Sequence, residues 1–234
     1  MSDSSLARVV NVLFSPTRTF EAIRQRPTWL VALVILVLLG LAGSYLVTGK
    51  MDIEEVVRES VADSGRQLSD DQLEQAIALQ EKLLPVFAIA GPLVIFPGAC
   101  LLMALLFWVV LRLLGGEMTY KTSFATTVHG LMPNAISSLL ALPVVMSRGA
   151  LSYEEVRSGG VLASNLAHFA PEETGTAVRA LLAGIDVFTI WALVLLIIGL
   201  AVTARVSRAK SGAVVIGLWV VYVLFKVGAA AISG

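Results

Sequence analysis

Two ionisable residues, Asp186 and Lys226, lie within otherwise apolar stretches of the chain. Placing either one alone in a bilayer costs about 2.5–3.5 kcal/mol on insertion scales. If the fourth apolar segment runs from outside to inside and the fifth returns, both lie about 8 Å below the outer surface, at about 1.5 Å per residue. We expect them to pair across the two helices, as a structural clamp more readily than as a proton relay. The alternative is that Lys226 extends outwards and Asp186 stays in water at the interface.

The third apolar segment carries two further candidates, His129 and Asn134. Their spacing does not place them on one helical face. Polar side chains within membrane helices often hydrogen-bond to neighbouring helices, and we expect that role for both. A pH-sensitive gate at His129 is the alternative. The sequence has no recognisable nucleophile–base pair, acid–base carboxylate pair or glycine-rich phosphate loop, so we expect no enzyme.

A short polar turn precedes this segment. Gly115 and Gly116 end an apolar run, residues 117–121 form a polar bridge, and the chain is apolar again by Phe124. This pattern predicts a tight turn between two membrane helices, and we select Gly115, Gly116, Tyr120 and Lys121 as a candidate interaction turn. The returning helix is unusually polar, because it carries Thr122, Ser123, Thr126, Thr127, His129, Asn134, Ser137 and Ser138.

The composition indicates a membrane protein. The chain has 234 residues, of which 57% are hydrophobic and 15% charged, against about 25% charged in globular domains. Its mean hydropathy is +0.84. The net charge is zero, so we expect no nucleic-acid partner. Cys100 is the single cysteine, and His129 and His168 are far apart, so we expect no disulfide, no metal and no cofactor.

Five apolar segments are long enough to cross a bilayer, at about residues 29–48, 83–114, 124–147, 181–204 and 212–232. They form the domain 29–234, with polar loops at 49–82 and 148–180, and residues 1–28 precede it. The predicted fold is all-α: a polytopic bundle of five transmembrane helices with short interfacial and extracytoplasmic helices. Short helices are expected at about 52–63 and 70–84, because Asp52 with Glu55 and Ser69 with Gln72 have capping-box spacing, and Ser152 with Glu155 is expected to cap another. Pro85, Pro92 and Pro97 predict a kinked second span, or a broken helix that lines a substrate site.

Residues 1–28 contain two short amphipathic patterns. Leu6, Val9, Val10 and Leu13 recur at helical spacing, and Ser15-Pro16 starts a second helix that carries Phe20 and Ile23 on one face. We expect these helices to lie in the membrane interface and to be attracted to anionic lipid. The alternative is an ordinary cytoplasmic segment that leads into the first span.

The distribution of charge sets the orientation. Segments 1–28, 112–122 and 205–211 hold nine Lys/Arg and three Asp/Glu, whereas loops 49–82 and 148–180 hold seven and thirteen. The first set is also much shorter, so its density of basic residues is higher. The positive-inside rule therefore predicts a cytoplasmic N-terminus and an extracytoplasmic C-terminus.

Two stretches resemble bacterial members of the Yip1 domain family. They are residues 13–24, LFSPTRTFEAIR ahead of Pro27, and residues 115–124, GGEMTYKTSF running on to Pro133. The resemblance implies a five-span helical bundle. Eukaryotic members are trafficking proteins of the endoplasmic reticulum and Golgi that associate with small prenylated GTPases. That role is not carried over here, because their Asp-Leu-Tyr-Gly-Pro-type motif and long acidic-aromatic tail are absent before Trp29.

The sequence thus predicts a non-enzymatic multi-pass protein, in the bacterial inner membrane, that organises or assists membrane partners. Its expected partners are the lipid bilayer and either another membrane protein or a second copy of itself. The alternative is a small transporter or lipid-handling protein with a site between the proline-broken second span and the polar third span. Flux in proteoliposomes that Asp186→Asn abolishes would favour that alternative.

Overall fold

A computed structural model describes residues 4–63, 65, 67–152, 155, 161–171 and 173–233. Over these residues the chain is helical and contains no strand beyond two isolated bridges. Five of its helices are long and apolar enough to cross a membrane. The predicted all-α, polytopic helical fold is therefore confirmed.

Two short helices, α1 (Ser5–Phe14) and α2 (Pro16–Gln25), open the chain. The remaining elements are, in order, α3 (Leu30–Thr48), α4 (Ile53–Asp63), α5 (Asp70–Ala90), a π-helical turn (Gly91–Ile95), α6 (Phe96–Leu113), α7 (Tyr120–Gly130), α8 (Met132–Ser147), a 3-10 turn (Leu166–Phe169), α9 (Thr176–Ala183), α10 (Val187–Ala204) and α11 (Arg208–Ser233).

The second long helix differs from its predicted form. Residues 70–113 are continuously helical, where the sequence suggested a short helix followed by a separate span. Ser69 and Gln72 form the expected capping box at its start. Pro85 lies inside α5 without ending it, and the π-helical turn comes just before Pro97. In a π-turn the backbone hydrogen bond spans five residues instead of four. The wider turn accommodates the proline side chain, whose nitrogen has no hydrogen to donate.

The fourth span begins later than predicted. The sequence predicted one span over residues 181–204. In the structure α9 ends at Ala183, and α10 starts only at Val187. Gly184 caps the first helix, and Asp186 forms an isolated bridge with Asn165. Asp186 therefore lies just before the apolar helix and not within it, where the sequence had placed it.

Contacts divide the described chain into two compact units. In the unit that contains residues 1–39, 94–137 and 188–221, α7 lies at the centre. Every residue from Thr122 to Gly130 is buried, and α1, α2 and α6 contact this helix. Trp29, just before α3, packs edge-on against Phe124 at 5.3 Å between ring centroids.

The apolar face of α2 packs into this unit. Phe20 and Ile23 are fully buried, together with Val9 and Val12 of α1. The apolar face of α2 is thus covered by other helices of the chain, and the prediction that lipid covers this face is wrong. The outer face of α1 remains apolar and exposed at Leu6, Val10 and Phe14.

The second unit contains the two polar loops, and hydrogen bonds connect one loop to the other. Leu151 N donates to Lys50 O at 2.9 Å, and the Lys50 ammonium donates to the carbonyl of Arg148. Arg179 is buried and donates to the carbonyl of Pro171 at 2.8 Å. Ser152 and Glu155 form the expected reciprocal cap, although most of the segment that they would start lies outside the described residues.

Close packing at Gly199 generates the first prediction. A Cβ there would lie 2.7 Å from Cζ of Phe20 and 2.8 Å from Cγ2 of Thr126. Gly199→Ala should therefore destabilise the protein, within the range of about 1–3 kcal/mol that overpacking costs. Thermal unfolding in detergent measures it.

Gly217→Ala is the matched control, because a Cβ at Gly217 meets nothing within 4 Å. It should leave the melting temperature unchanged or raise it slightly, since alanine favours helix. Equal melting temperatures for the two variants would contradict the packing of α2 onto α10.

Candidate functional site

The turn after α6 is formed by the two glycines singled out from the sequence. Gly115 has a φ of +85°, a conformation that glycine adopts without steric cost. Gly115 N donates to Arg112 O at 3.1 Å, and Gly116 N donates to Leu111 O at 2.8 Å. These two bonds are the Schellman motif that satisfies the last carbonyls of a helix.

Thr119 then starts α7. Its hydroxyl accepts a hydrogen bond from Thr122 N at 3.2 Å, as an N-cap does. Tyr120 does not extend freely from the turn, because its hydroxyl donates to Leu101 O at 3.0 Å and its ring packs edge-on against Trp108. Lys121 is exposed. Of the four predicted turn residues, Lys121 is therefore the one whose side chain is open to a partner.

This turn is joined to the turn between α10 and α11. Glu117 N donates to Ala204 O at 2.9 Å, and the Lys210 ammonium donates to Leu114 O at 3.2 Å. Trp108 Nε1 of α6 also donates to Met118 O in the α6–α7 turn, at 3.1 Å. Backbone and side-chain bonds thus fix two turns that lie almost ninety residues apart in the sequence.

Arg205 ends α10 in the same way that Gly115 ends α6. Val206 N donates to Ala201 O at 3.1 Å across the turn. Arg205 has a φ of +56° and is the one non-glycine residue with positive φ in the described part of the chain. Its guanidinium lies 3.4 Å from the Glu117 carboxylate, and both side chains are more than half exposed.

The buried hydroxyls of α7 make the contacts between helices that the polar composition suggested. Ser123 donates to Ala104 O of α6 at 2.8 Å, and the hydroxyls of Thr126 and Thr203 lie 3.2 Å apart. Thr127 instead donates to Ser123 O on its own helix at 2.9 Å. These bonds satisfy polar groups that lipid could not satisfy.

His129 and Asn134 are not brought together by a contact between them. His129 is buried, and its Nδ1 lies 2.8 Å from Ala125 O on the same helix. Its Nε2 has no hydrogen-bond partner among the described residues. Asn134 is half-buried at the start of α8, where its N–H donates to Leu131 O at 3.0 Å. Their roles as bridges between helices remain predictions.

Asp186 and Lys226 belong to the other unit. Asp186 is half-buried beside Asn165, and Lys226 is exposed on α11. The ion pairs among the described residues are Arg58–Glu54, Arg148–Glu155 and Arg205–Glu117. Pairing of Asp186 with Lys226 is not among them and remains a hypothesis.

Sequence reasoning missed Trp108, Glu117 and Arg205 as parts of the site. Trp108 looked like one apolar residue among many, although an indole close to a glycine turn can cap a backbone carbonyl. The pairing of Glu117 with Arg205 had no signal in local sequence, because it depends on which turns meet in three dimensions. No group of three His, Cys, Asp or Glu side chains that could hold a metal occurs in the described part of the chain.

The Yip1 domain family model matches residues 10–230, nearly the whole chain. The chain belongs to the Yip1 domain family. This Yip1 domain is also similar to the membrane protein YknW of Bacillus subtilis (strain 168), with 26% identity over 218 residues that cover 92% of the chain and 87% of YknW. No solved structure matches the chain significantly.

The resemblance drawn from residues 13–24 and 115–124 is thereby confirmed. In the structure those two stretches supply α2, with its buried Phe20, and the α6–α7 turn, with its paired glycines. Together with the five long apolar helices, the family assignment makes this Yip1 domain a multi-pass integral membrane protein.

The contact between Thr126 and Thr203 gives a second prediction. In a double-mutant cycle of Thr126→Val and Thr203→Val, the coupling energy should be about 0.6 kcal/mol, the average for hydrogen bonds between membrane helices. The value should be small, because each hydroxyl has one proton and also lies 2.8 Å from a carbonyl of its own helix.

Thr127→Val with Thr203→Val is the matched control cycle. Thr127 is equally buried but bonds only within α7, so its cycle should be additive. Equal coupling in the two cycles would show that the Thr126–Thr203 contact is not specific.

Proposed function

We propose that this Yip1 domain is a non-enzymatic adaptor that organises or assists partner proteins in the bacterial inner membrane. The part that would meet a partner is the exposed charged edge of the two joined turns, Glu117, Lys121, Arg205 and Arg208, here called the turn surface. The observation that carries the proposal is the bond from Glu117 N to Ala204 O, because it holds the charged side chains of two separate turns on one fixed frame.

The meeting of the basic segments supports a cytoplasmic location for this surface. Arg24 of α2 lies 3.5 Å from the carbonyl of Val202, and the α6–α7 turn contacts the same end of α10. The three segments with the highest density of Lys and Arg therefore converge. A single basic end of a helical bundle is what the positive-inside rule favours on the cytoplasmic side.

The backbone at Arg205 also fits a functional surface. A left-handed conformation costs a non-glycine residue about 1–2 kcal/mol. Glycine would remove that cost, but it would also remove the guanidinium that lies beside Glu117. Backbone strain of this kind concentrates at functional sites.

A small transporter or lipid-handling protein is the second candidate. Its supporting observation is Nε2 of His129, which is buried and unpartnered among the described residues, on the polar helix next to α6. Buried polar atoms are nearly always hydrogen-bonded, so a substrate passing this helix could supply the partner. Movement of fluorescent phospholipid across proteoliposomes, abolished by His129→Phe, would favour this candidate over the adaptor.

Photo-crosslinking gives the third prediction. A photoreactive amino acid at Lys121, in native membranes, should give a discrete adduct with one membrane protein. Lys121 is exposed, whereas the hydroxyl of neighbouring Tyr120 is already bonded to Leu101 O. Mass spectrometry of the adduct identifies the partner.

A probe at Arg58 serves as the control. Arg58 is exposed on α4 in the other unit, within a loop that the charge rule places outside, so it should not give the same adduct. Adducts from Lys121 to lipid alone, or the same protein adduct from both positions, would contradict the adaptor.

A further inference from the structure

A cleft lies beside the α6–α7 turn. Its volume is about 550 Å³, and four elements line it: α2 with Arg24, α6 with Arg112, the turn 115–119 running into Thr122 of α7, and α10 with Thr203. That volume falls within the range of about 300–1,000 Å³ typical of small-molecule sites.

The charge of the cleft is positive. Among the described residues, neither Arg24 nor Arg112 is in an ion pair. Arg112 lies over the ring of Trp108, 5.7 Å from its centroid, which orients the guanidinium at the edge of the cleft. Glu117 also lines the cleft, but its carboxylate is already shared with Arg205 at 3.4 Å. An anion that enters would therefore meet two guanidinium groups without a carboxylate of their own.

The donors suit a phosphate. Guanidinium groups bind phosphate oxygens through two parallel N–H bonds, with geometry that an ammonium cannot provide. Thr119 and Thr122 also line the cleft, and because one hydroxyl proton is used in the 2.9 Å contact between them, one is left to donate to an oxygen.

Two exposed leucines follow Arg112 in the chain. Leu113, next to Arg112, has 82% of its surface exposed, and Leu114 has 43%. Exposed apolar side chains beside a polar site suit an amphipathic ligand, because acyl chains cover the leucines while the head enters the cleft. The exposed leucines therefore favour the phosphate group of a lipid over free inorganic phosphate.

We propose that the cleft binds the phosphate headgroup of an anionic membrane phospholipid, held between Arg24 and Arg112 with its acyl chains along Leu113. The site would fix one lipid at the end of the bundle where α2, the α6–α7 turn and α10 meet. The proposal goes beyond the adaptor role and does not depend on it, since it involves no protein partner.

The fourth prediction tests this with the full-length protein in neutral detergent. Phosphatidylglycerol, added stepwise, should raise the melting temperature, whereas phosphatidylcholine, whose headgroup carries no net charge, should not. In the double variant Arg24→Gln with Arg112→Gln the rise should disappear. Each single substitution should weaken the apparent Kd about tenfold or more, as expected for a charged hydrogen bond.

Arg18→Gln is the matched control. Arg18 is exposed on the same helix as Arg24 and does not line the cleft, so its variant loses the same charge but should respond like the wild type. Arg24→Lys with Arg112→Lys retains the charge and the fold but lacks the guanidinium forks, so it should bind more weakly than wild type and more tightly than the glutamine double variant.

The outcomes separate the sources of phosphate. An equal rise with inorganic phosphate, lost in the same double variant, would keep the anion site and assign it to a free anion. An unchanged response to phosphatidylglycerol in the double variant would overturn the proposal. A weakened response in Arg18→Gln equal to that in Arg24→Gln would also overturn it, because the effect would then be general surface charge.

Discussion

The structure depends on one constraint: a polar helix has to be kept away from lipid. Helix α7 carries hydroxyl and imidazole groups along its whole length, and hydrocarbon offers no partner for any of them. Its residues from Thr122 to Gly130 are all buried. Ser123 donates to a carbonyl of α6, and the Thr126 hydroxyl contacts that of Thr203 on α10. The neighbouring helices thus bury α7 and also provide hydrogen-bond partners for its hydroxyls.

This constraint explains the position of the N-terminal helices. Besides α6, the two N-terminal helices contact α7. Helix α2 covers part of this helix with Phe20, whose ring lies so close to Gly199 that a Cβ added there would be 2.7 Å from it. Arg8 of α1 is buried and bonds to the carbonyl of Arg26 at 2.6 Å, which ties α1 to the end of α2. The short N-terminal segment thus contributes directly to the packing around α7.

Sequence patterns predicted the features that depend on residues close together in the chain. Gly115 and Gly116 predicted the end of α6, Ser69 with Gln72 predicted the start of α5, and apolar length predicted five spanning helices. They failed where tertiary packing decides. The amphipathic face of α2 is the same whether lipid or protein covers it, so Phe20 gave no sign of its burial. The break before Asp186 was missed because residues 181–204 read as one apolar run, although Gly184 ends the first helix.

The residues that join the turns were beyond local inference for a similar reason. Glu117 and Arg205 are ordinary surface charges until α6 and α10 are known to end side by side. The left-handed conformation of Arg205 also has no signal in composition, since glycine would be the expected residue. Only the assembled unit shows that three basic segments share one end, and that a cleft with two arginines lies between them.

We infer that α2, the α6–α7 turn and the α10–α11 turn form one surface, and we propose that it faces the cytoplasm. The most direct test is labelling of single cysteines by a membrane-impermeant maleimide, in a Cys100→Ser background, with probes at Arg18, Lys121 and Arg208. The account predicts that all three are labelled in inverted membrane vesicles and none in intact spheroplasts, while a cysteine at Arg58 shows the reverse. Labelling of Lys121 from the outside, or of the three positions from different sides, would contradict it.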